Sequence, residues 1–141
     1  MKHDIIIVGS GPAGTSTALH LAQSNPALAR RILILERARH PRPKLCGGGI
    51  LEDGETILRN LGLDLTAVPH ADVLRPYFTF EGRGICIVRK PVSFRVVARD
   101  AFDAWLAAAV RAAGITIQEE TRVRSVRSTK SSNGTSVVAR M

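Results

Sequence analysis

The chain has 141 residues, of which 45% are hydrophobic and 23% charged, a balance typical of a single globular domain that excludes an intrinsically disordered chain. The net charge of +8 comes mainly from scattered arginines, and aromatic residues make up only 4%. Nucleic-acid modules concentrate cations with stacking aromatics, so the composition favours anionic small molecules or an anionic membrane surface over nucleic acid.

Targeting, metal and disulfide signals are absent from the sequence. The apolar run from Ile5 to Val8 is too short for a signal-peptide core or a membrane span, which predicts a cytoplasmic location. The four histidines stand apart from one another, so no metal site is predicted. Cys46 and Cys86 form no disulfide framework, and Cys86 alternates with apolar neighbours, which predicts a core position.

The first forty residues change period once. Asp4 to Val8 is a run of β-branched residues typical of a strand buried on both faces. From Pro12 the pattern becomes helical, and Pro26 ends that helix because proline cannot continue it. The segment Ile32 to Leu35 reads as a second buried strand, which ends at Glu36. These elements predict a βαβ unit over residues 4–36.

A G-x-G-x-x-G motif lies between the first strand and the helix. Gly9 suits a tight turn, Gly11 a close approach of the backbone to a pyrophosphate, and Gly14 close helix–strand packing. Amides at the helix N-terminus would then meet the phosphates. The predicted cofactor-binding residues of this loop are Gly9, Ser10, Gly11, Pro12, Ala13 and Gly14.

An acidic residue follows the second strand at the expected distance. Glu36 can accept hydrogen bonds from ribose hydroxyls, and its charge would repel the 2′-phosphate of NADP. Strand, glycine loop, helix, strand and carboxylate therefore occur in the order that predicts a dinucleotide site. Another α/β domain with a glycine-rich turn is the alternative, and the motif alone does not separate FAD from NAD.

After Glu36 the chain leaves the simple NAD-domain pattern. Residues 37–99 contain a basic, proline-stiffened loop and a short amphipathic helix whose apolar face includes Leu51, Ile57 and Leu58. Gly62 can supply the C-terminal cap of that helix. Alternating strands follow, with a hairpin turn at Glu81 to Gly84.

The remaining residues, 100–141, return to helix and strand. Asp100 is the predicted N-cap of a helix that stops at Gly114. Ile115 to Gln118 reads as the third parallel strand, and the residues from Arg122 onward read as a β-meander with a polar turn at Ser132 to Thr135.

Four stretches together resemble the geranylgeranyl reductase family of FAD-dependent oxidoreductases, within the aromatic-hydroxylase-like flavoprotein fold. They are DIIIVGSGPAGTSTALHLA, ILILER, PKLCGGGI and ARDAFDAWL, in this order. The resemblance covers essentially the whole chain, and the Lys-x-Cys-Gly-Gly-Gly stretch is its most discriminating part. It implies a Rossmann-like α/β FAD-binding domain with a parallel sheet and a β-meander.

The resemblance also implies an activity and its partners. Family members bind FAD, take reducing equivalents from NADPH or ferredoxin, and saturate double bonds of prenyl chains. Contact with a membrane surface would suit such a substrate, although no amphipathic anchor helix is visible. The alternatives are a flavin-dependent aromatic monooxygenase or halogenase of the same fold, and a non-catalytic nucleotide-binding module.

Further cofactor-binding residues follow from the resemblance. In this fold the chain after the acidic strand passes beside the flavin, so a side chain at Gly47 or Gly48 would collide with the cofactor or the substrate. Cys46 would lie next to the flavin; alternatively, it is a small packing residue. Arg42 or Lys44 would neutralise phosphate charge. Residues implied to contact the cofactor outside the glycine motif are Glu36, Arg37, Lys44, Cys46, Gly47, Gly48, Arg99 and Val123.

The chain also departs from the family pattern. The later Gly-Asp segment and the prenyl-substrate domain do not follow, because the sequence stops at Met141 inside the meander. The expectation is therefore a truncated FAD-binding domain that grips the ADP half of FAD, encloses the flavin poorly, and shows no reductase turnover alone. No catalytic residue is assigned.

Overall fold

The structure is a computed structural model and describes residues 3–86, 92–131 and 134–140. It is an α/β protein with a parallel sheet, as the sequence predicts. In chain order its strands and helices are β1 (Ile5–Val8), α1 (Pro12–Ser24), β2 (Ile32–Leu35), β3 (Gly49–Leu51), α2 (Glu52–Asn60), β4 (His70–Val73), β5 (Tyr77–Phe80), β6 (Arg83–Cys86), β7 (Phe94–Val97), α3 (Arg99–Ala112), β8 (Thr116–Gln118), β9 (Ser125–Ser131) and β10 (Gly134–Arg140).

The chain divides into two compact units. Unit 1 comprises residues 1–42 together with 106–141, and unit 2 comprises residues 43–105. Unit 1 contains the three-stranded parallel sheet in the order β1-β2-β8 and the β9–β10 hairpin. Unit 2 contains an antiparallel sheet in the order β3-β7-β4 and the β5–β6 hairpin.

The βαβ unit forms where the sequence predicts it. β1 and β2 pair in parallel, and Ile32 and Ile34 of β2 are fully buried. The expectation that β1 is buried on both faces is wrong, because Ile6 and Val8 are 44% and 56% exposed. α1 packs against the face of β1 that carries Ile7, and the opposite face remains exposed. A run of apolar residues does not show whether one face of a strand or both will be covered.

The helix of unit 2 keeps its predicted cap but not its predicted face. Gly62 has a φ of +73°, and its N–H bonds to the Arg59 carbonyl, while Leu63 bonds back to Leu58. This is a Schellman ending of α2. Leu58 is buried, whereas Ile57 remains 46% exposed, so the expected shared apolar face is only partly buried.

The strands of unit 2 run antiparallel, with β7 between β3 and β4. The β5–β6 hairpin turns at Glu81 and Gly82, both at positive φ, so the turn is tighter than the predicted Glu81 to Gly84. Cys86 lies in β6 and is exposed, which overturns its predicted core position. Alternation of apolar residues identified the strand, but nothing within the described residues of that strand is buried.

The long helix α3 begins two residues earlier than an N-cap at Asp100 predicts. The Ala98 carbonyl accepts the first helical hydrogen bond, from Phe102, so Asp100 lies in the first turn rather than at the N-cap. Gly114 at φ +80° ends the helix as expected. β8 then pairs in parallel with β2, which confirms the third parallel strand.

β9 and β10 pair antiparallel over seven residues each, as the predicted meander requires. Residues 132 and 133 of the predicted polar turn lie outside the described residues. The fold of unit 1 therefore places the loop after β1 and the residues after β2 at neighbouring carboxyl ends of parallel strands, where α/β sheets bind ligands.

Candidate functional site

The loop between β1 and α1 reverses the chain sharply, and two glycines permit it. Gly9 has a φ of +96°, a left-handed conformation that favours glycine. Its N–H donates to the Leu35 carbonyl at 2.8 Å, which ties the loop to the end of β2. A Cβ on Gly14 would overlap the carbonyl oxygen of Gly9 and crowd the Ile7 side chain. The geometry agrees with the tight turn and the close helix–strand packing expected of these glycines.

Gly11 faces a different environment, because its side-chain direction is open. An added Cβ would meet only one atom within 4 Å, the Nη2 of Arg42 at 3.7 Å. Gly11 is the N-cap of α1, no side chain caps that helix, and its first turn carries no acidic residue. Helix N-termini attract anions, and a neighbouring guanidinium adds positive charge. The loop therefore fits the diphosphate of a dinucleotide.

Glu36 lies directly beneath this loop and is buried. Its Oε2 accepts hydrogen bonds from the Ser10 amide at 2.8 Å and from the Ser10 hydroxyl at 3.0 Å. Its Oε1 accepts from the Ala38 amide at 3.0 Å, and Arg42 Nε lies 3.8 Å from the same oxygen. The carboxylate thus joins the loop after β1 to the segment after β2.

These contacts favour the ionised carboxylate. Burial by itself raises the pKa of Glu36, but the hydrogen bonds from the amides of Ser10 and Ala38, then the Ser10 hydroxyl and the Arg42 charge, together lower that pKa below its ordinary value. At neutral pH the group is therefore an anion that can accept hydrogen bonds only.

His40 joins the same cluster, which sequence reasoning did not predict. Its Nε2 lies 2.7 Å from Ser10 Oγ. Its backbone N–H donates to Glu119 Oε1 at 3.0 Å, and Arg111 Nη2 lies 2.9 Å from that same oxygen. No local sequence signal announces this contact, because His40 and Ser10 are thirty residues apart along the chain.

The other residues predicted for this half of the site lie on its margin. Arg37 is exposed, and Val123 is half-buried in the segment after β8. That segment is tied to Glu36, since the Thr121 N–H donates to the Glu36 carbonyl at 2.8 Å. Unit 1 therefore brings together the glycine loop, Glu36 and the residues that follow β2 and β8.

The second glycine-rich segment belongs to unit 2, and its glycines have structural reasons of their own. Gly48 has a φ of +71°, and a Cβ there would overlap the carbonyl oxygen of Val97. Its carbonyl accepts a hydrogen bond from the Val97 N–H at 3.0 Å. Packing against β7 therefore requires glycine at this position, whatever cofactor lies nearby. Gly47 has no atom within 4 Å of an added Cβ.

Cys46 and Arg99 meet in unit 2. The Cys46 thiol is exposed and accepts a hydrogen bond from the Gly48 N–H at 3.5 Å. That bond, followed by the Arg99 side chain and the charge of Lys44, lowers the pKa of Cys46. Arg99 also donates two hydrogen bonds, at 2.8 and 3.1 Å, to the fully buried carboxylate of Asp103, which raises the pKa of Arg99.

An apolar groove of about 360 Å³ opens elsewhere on unit 2. Its walls are mainly apolar and aromatic, with two carboxylates and a hydroxyl among them. The lining residues are Leu51, Glu52, Asp53, Pro76, Phe78, Ser93 and Phe94. Within the described residues, no helix is long and apolar enough to cross a membrane, and no group of three potential metal ligands occurs.

Comparison with known proteins identifies the family to which the chain belongs. A family model described as an FAD binding domain matches residues 2–140. Among curated proteins, the menaquinone reductase of Mycobacterium tuberculosis is 34% identical over 67 residues, which is 48% of this chain and 15% of that protein. The chain therefore spans only a small part of the length of the curated relatives it matches.

Solved structures share the fold at low sequence identity. A flavoprotein/dehydrogenase from Cytophaga hutchinsonii has a TM-score of 0.74 at 21% identity, with 99% of this chain and 37% of that chain covered. A flavin-dependent halogenase gives 0.73 at 24% identity, with coverages of 99% and 28%. A geranylgeranyl bacteriochlorophyll reductase-like protein from Thermoplasma acidophilum gives 0.70 at 23% identity, with coverages of 93% and 32%.

Proposed function

Because the chain belongs to the FAD binding domain family of flavin-dependent oxidoreductases, we propose that it holds the ADP half of FAD at the loop after β1 and serves an enzyme that reduces double bonds of a prenyl substrate. One observation carries the cofactor part of this proposal. An open glycine, an uncapped helix N-terminus and the Arg42 guanidinium converge on one side of Gly11, above an ionised Glu36.

Each group of unit 1 then has a task toward the cofactor. The α1 amides and Arg42 bind the diphosphate, and Glu36 accepts from the adenosine ribose. The same carboxylate disfavours a 2′-phosphate by charge repulsion, so NADP is not the ligand of this loop. Arg37 and the backbone at Val123 border the adenosine side.

The residues of unit 2 take the flavin side in the proposal. Gly47 leaves its side-chain direction open for close approach, and Lys44 supplies positive charge. Arg99 is held by the buried Asp103, so its guanidinium is oriented before any ligand arrives. Cys46, with its lowered pKa, would tune the flavin or touch substrate. FAD, when bound, supplies the two-electron chemistry of the reaction.

A prenyl substrate is supported by the family resemblance and by one feature of the structure. The Lys-x-Cys-Gly-Gly-Gly stretch resembles the geranylgeranyl reductases, and a solved structure with the same fold is named as geranylgeranyl bacteriochlorophyll reductase-like. The groove of unit 2 is lined by Leu51, Phe78 and Phe94, which suits an apolar chain. NADPH or ferredoxin is the proposed electron donor, and contact with a membrane surface would give access to such substrates.

Titration of the purified chain with FAD, followed by flavin fluorescence, tests the cofactor assignment. We expect saturable but weak binding. NAD contains the same ADP half, so it should displace FAD only at a concentration well above that of FAD, because it lacks the flavin. The Arg42→Gln variant should bind FAD about tenfold more weakly, because a charged hydrogen bond to the phosphate is lost. FAD binding that is equally strong in the variant would show that Arg42 does not contact the diphosphate, and displacement of FAD by an equimolar concentration of NAD would favour an NAD module.

The substrate assignment needs a second assay. The protein with FAD is reduced anaerobically by NADPH or reduced ferredoxin and given geranylgeranyl diphosphate, and mass spectrometry measures the gain of two hydrogens per saturated double bond. Because the chain spans only 15% of the menaquinone reductase that it matches, we expect no turnover from these residues alone and turnover only from a protein of the relatives' length that includes them. Oxygen consumption coupled to NADPH, without prenyl reduction, would instead favour a monooxygenase or halogenase.

A further inference from the structure

Three polar side chains from two separate segments form one hydrogen-bonded chain in unit 1. His40 Nε2 lies 2.7 Å from Ser10 Oγ, and Ser10 Oγ lies 3.0 Å from Glu36 Oε2. Ser10 is fully buried, and Glu36 is 4% exposed, so these groups must satisfy one another. Ser10 has only one hydroxyl proton to share between its two partners.

The ionised carboxylate decides the direction of the chain. Glu36 cannot donate, so the Ser10 proton must point to Oε2 for that contact to be attractive. His40 must then donate from Nε2 to the Ser10 oxygen. The opposite tautomer, with its proton on Nδ1, would draw the Ser10 proton away and leave two lone pairs facing each other at 3.0 Å.

The backbone of His40 is anchored independently of this contact. Its N–H donates to Glu119 Oε1, and Arg111 holds that carboxylate by an ion pair. Burial alone raises the pKa of Glu119, but the His40 amide and Arg111 together lower it, so this anchor stays charged at neutral pH. The imidazole is therefore presented to Ser10 by a segment fixed from the end of β8.

We propose that His40, acting through Ser10, is a positioning residue of the nucleotide site, which holds Glu36 so that its Oε1 remains available to a ribose hydroxyl. Oε2 already accepts two hydrogen bonds, from the amide and the hydroxyl of Ser10, whereas Oε1 accepts one, from Ala38, and lies 3.8 Å from Arg42 Nε, beyond hydrogen-bond distance. The inference rests on the proposed function, because it assumes that a ribose approaches Glu36.

The first test uses ADP and 2′-deoxy-ADP as probes, with affinities measured by calorimetry on the full chain. We expect the protein to prefer ADP by about tenfold, since a hydrogen bond to a charged acceptor is lost with the 2′-hydroxyl. In the His40→Leu variant this preference should fall to less than about threefold. The His40→Gln variant, whose amide can donate in place of Nε2, should retain it.

Ser10→Ala provides a second route to the same answer. It should lose the ADP preference as His40→Leu does, and the double variant should lose no more than either single variant, because both act through one contact. A preference for ADP that survives in both single variants overturns the proposal. It is equally overturned by additive losses, which would mean that the two residues act separately.

The second test does not depend on any nucleotide. The ¹⁵N NMR spectrum of the His40 imidazole in the free protein should show a proton on Nε2, and the Ser10→Ala variant should change that signal. A proton found on Nδ1 alone would overturn the hydrogen-bonded chain even if nucleotides bind normally. If the Nε2 proton is present but the protein binds neither ADP nor FAD, the proposed function fails, and the positioning role fails with it.

Discussion

The two glycine-rich segments of the molecule look alike in sequence but are built for different reasons. In the loop of unit 1, Gly14 is required by packing against the Gly9 carbonyl, whereas Gly11 faces open space beside Arg42. In unit 2, Gly48 is required by packing against the Val97 carbonyl, whereas Gly47 faces open space. Each segment therefore pairs one glycine that packing requires with one whose side-chain direction is open, on the side where the proposed cofactor would approach.

This comparison separates stability from binding at the level of single residues. A glycine whose Cβ would overlap backbone is a folding requirement, because backbone atoms cannot move aside cheaply. A glycine with an open side-chain direction is free of that requirement, so its presence is informative about a ligand. Gly11 and Gly47, rather than Gly14 and Gly48, are the residues at which the cofactor proposal can be tested without unfolding the protein.

The largest effect is expected at the glycine run of unit 2. Gly48→Ala should lower the free energy of unfolding by about 3 kcal/mol, from overlap with the Val97 carbonyl and from the cost of a left-handed alanine. Gly47→Ala should instead change stability by less than about 1 kcal/mol, with a gain permitted by the lower entropy of the unfolded chain. Urea unfolding followed by Trp105 fluorescence measures both, and equal losses would contradict the distinction.

The next effect concerns the carboxylate beneath the loop of unit 1. Glu36→Gln should cost about 2 kcal/mol at pH 7, because an amide cannot accept every hydrogen bond that the carboxylate accepts. The lowered pKa of Glu36 contributes stability that is present above the ordinary pKa of 4.5 and is lost as the pH falls through the folded-state pKa.

Urea unfolding between pH 7 and pH 2 tests this prediction. The Glu36→Gln variant should lose less stability toward acid than the parent chain. Glu52→Gln, at an exposed position in the first turn of α2, is the control and should alter stability by less than about 0.5 kcal/mol. If the Glu36→Gln variant loses as much unfolding free energy between pH 7 and pH 2 as the parent chain, the prediction that Glu36 has a lowered pKa is contradicted.

The open glycine of unit 1 should affect binding more than folding. Gly11→Ala is expected to cost no more than about 1 kcal/mol of stability, from the N-cap preference for glycine over alanine, since only the Arg42 guanidinium lies near the new methyl group. It should weaken FAD binding by about tenfold, because the diphosphate can no longer approach the helix amides closely. Thr17→Ala, on the exposed side of α1, serves as the control. Parallel losses of stability and affinity in Gly11→Ala would refute the separation.

The smallest effect is a change in thiol reactivity within unit 2. The Gly48 amide and Arg99 lower the pKa of Cys46, so iodoacetamide should modify Cys46 at a lower pH in the folded protein than in urea. Mass spectrometry of the labelled peptides gives both pH profiles, with Cys86, which is also exposed, as an internal measure of reagent access. Identical folded and unfolded profiles for Cys46 would mean that its neighbours do not influence the thiol.

The sequence by itself determined the local features of this protein, namely where the first strand and helix lie and where certain turns and helix ends occur. The change from β-branched run to helical period located β1 and α1, and Gly9, Gly14 and Gly114 were correctly matched to a turn, a close packing and a helix end. These inferences succeed because turn geometry and helix periodicity act over a few neighbouring residues. The four stretches that resemble FAD-dependent oxidoreductases likewise led to the FAD-binding family.

Tertiary structure alone decided which side chains lie against which. It exposed one face of β1 and the thiol of Cys86, required Gly48 for a carbonyl on another strand, and brought His40 to Ser10. Burial and hydrogen bonding depend on atoms that distant segments bring into contact, and one sequence read along its length carries no direct record of those distances. Packing between distant segments therefore decided which glycines the fold requires and which side chains contact Glu36.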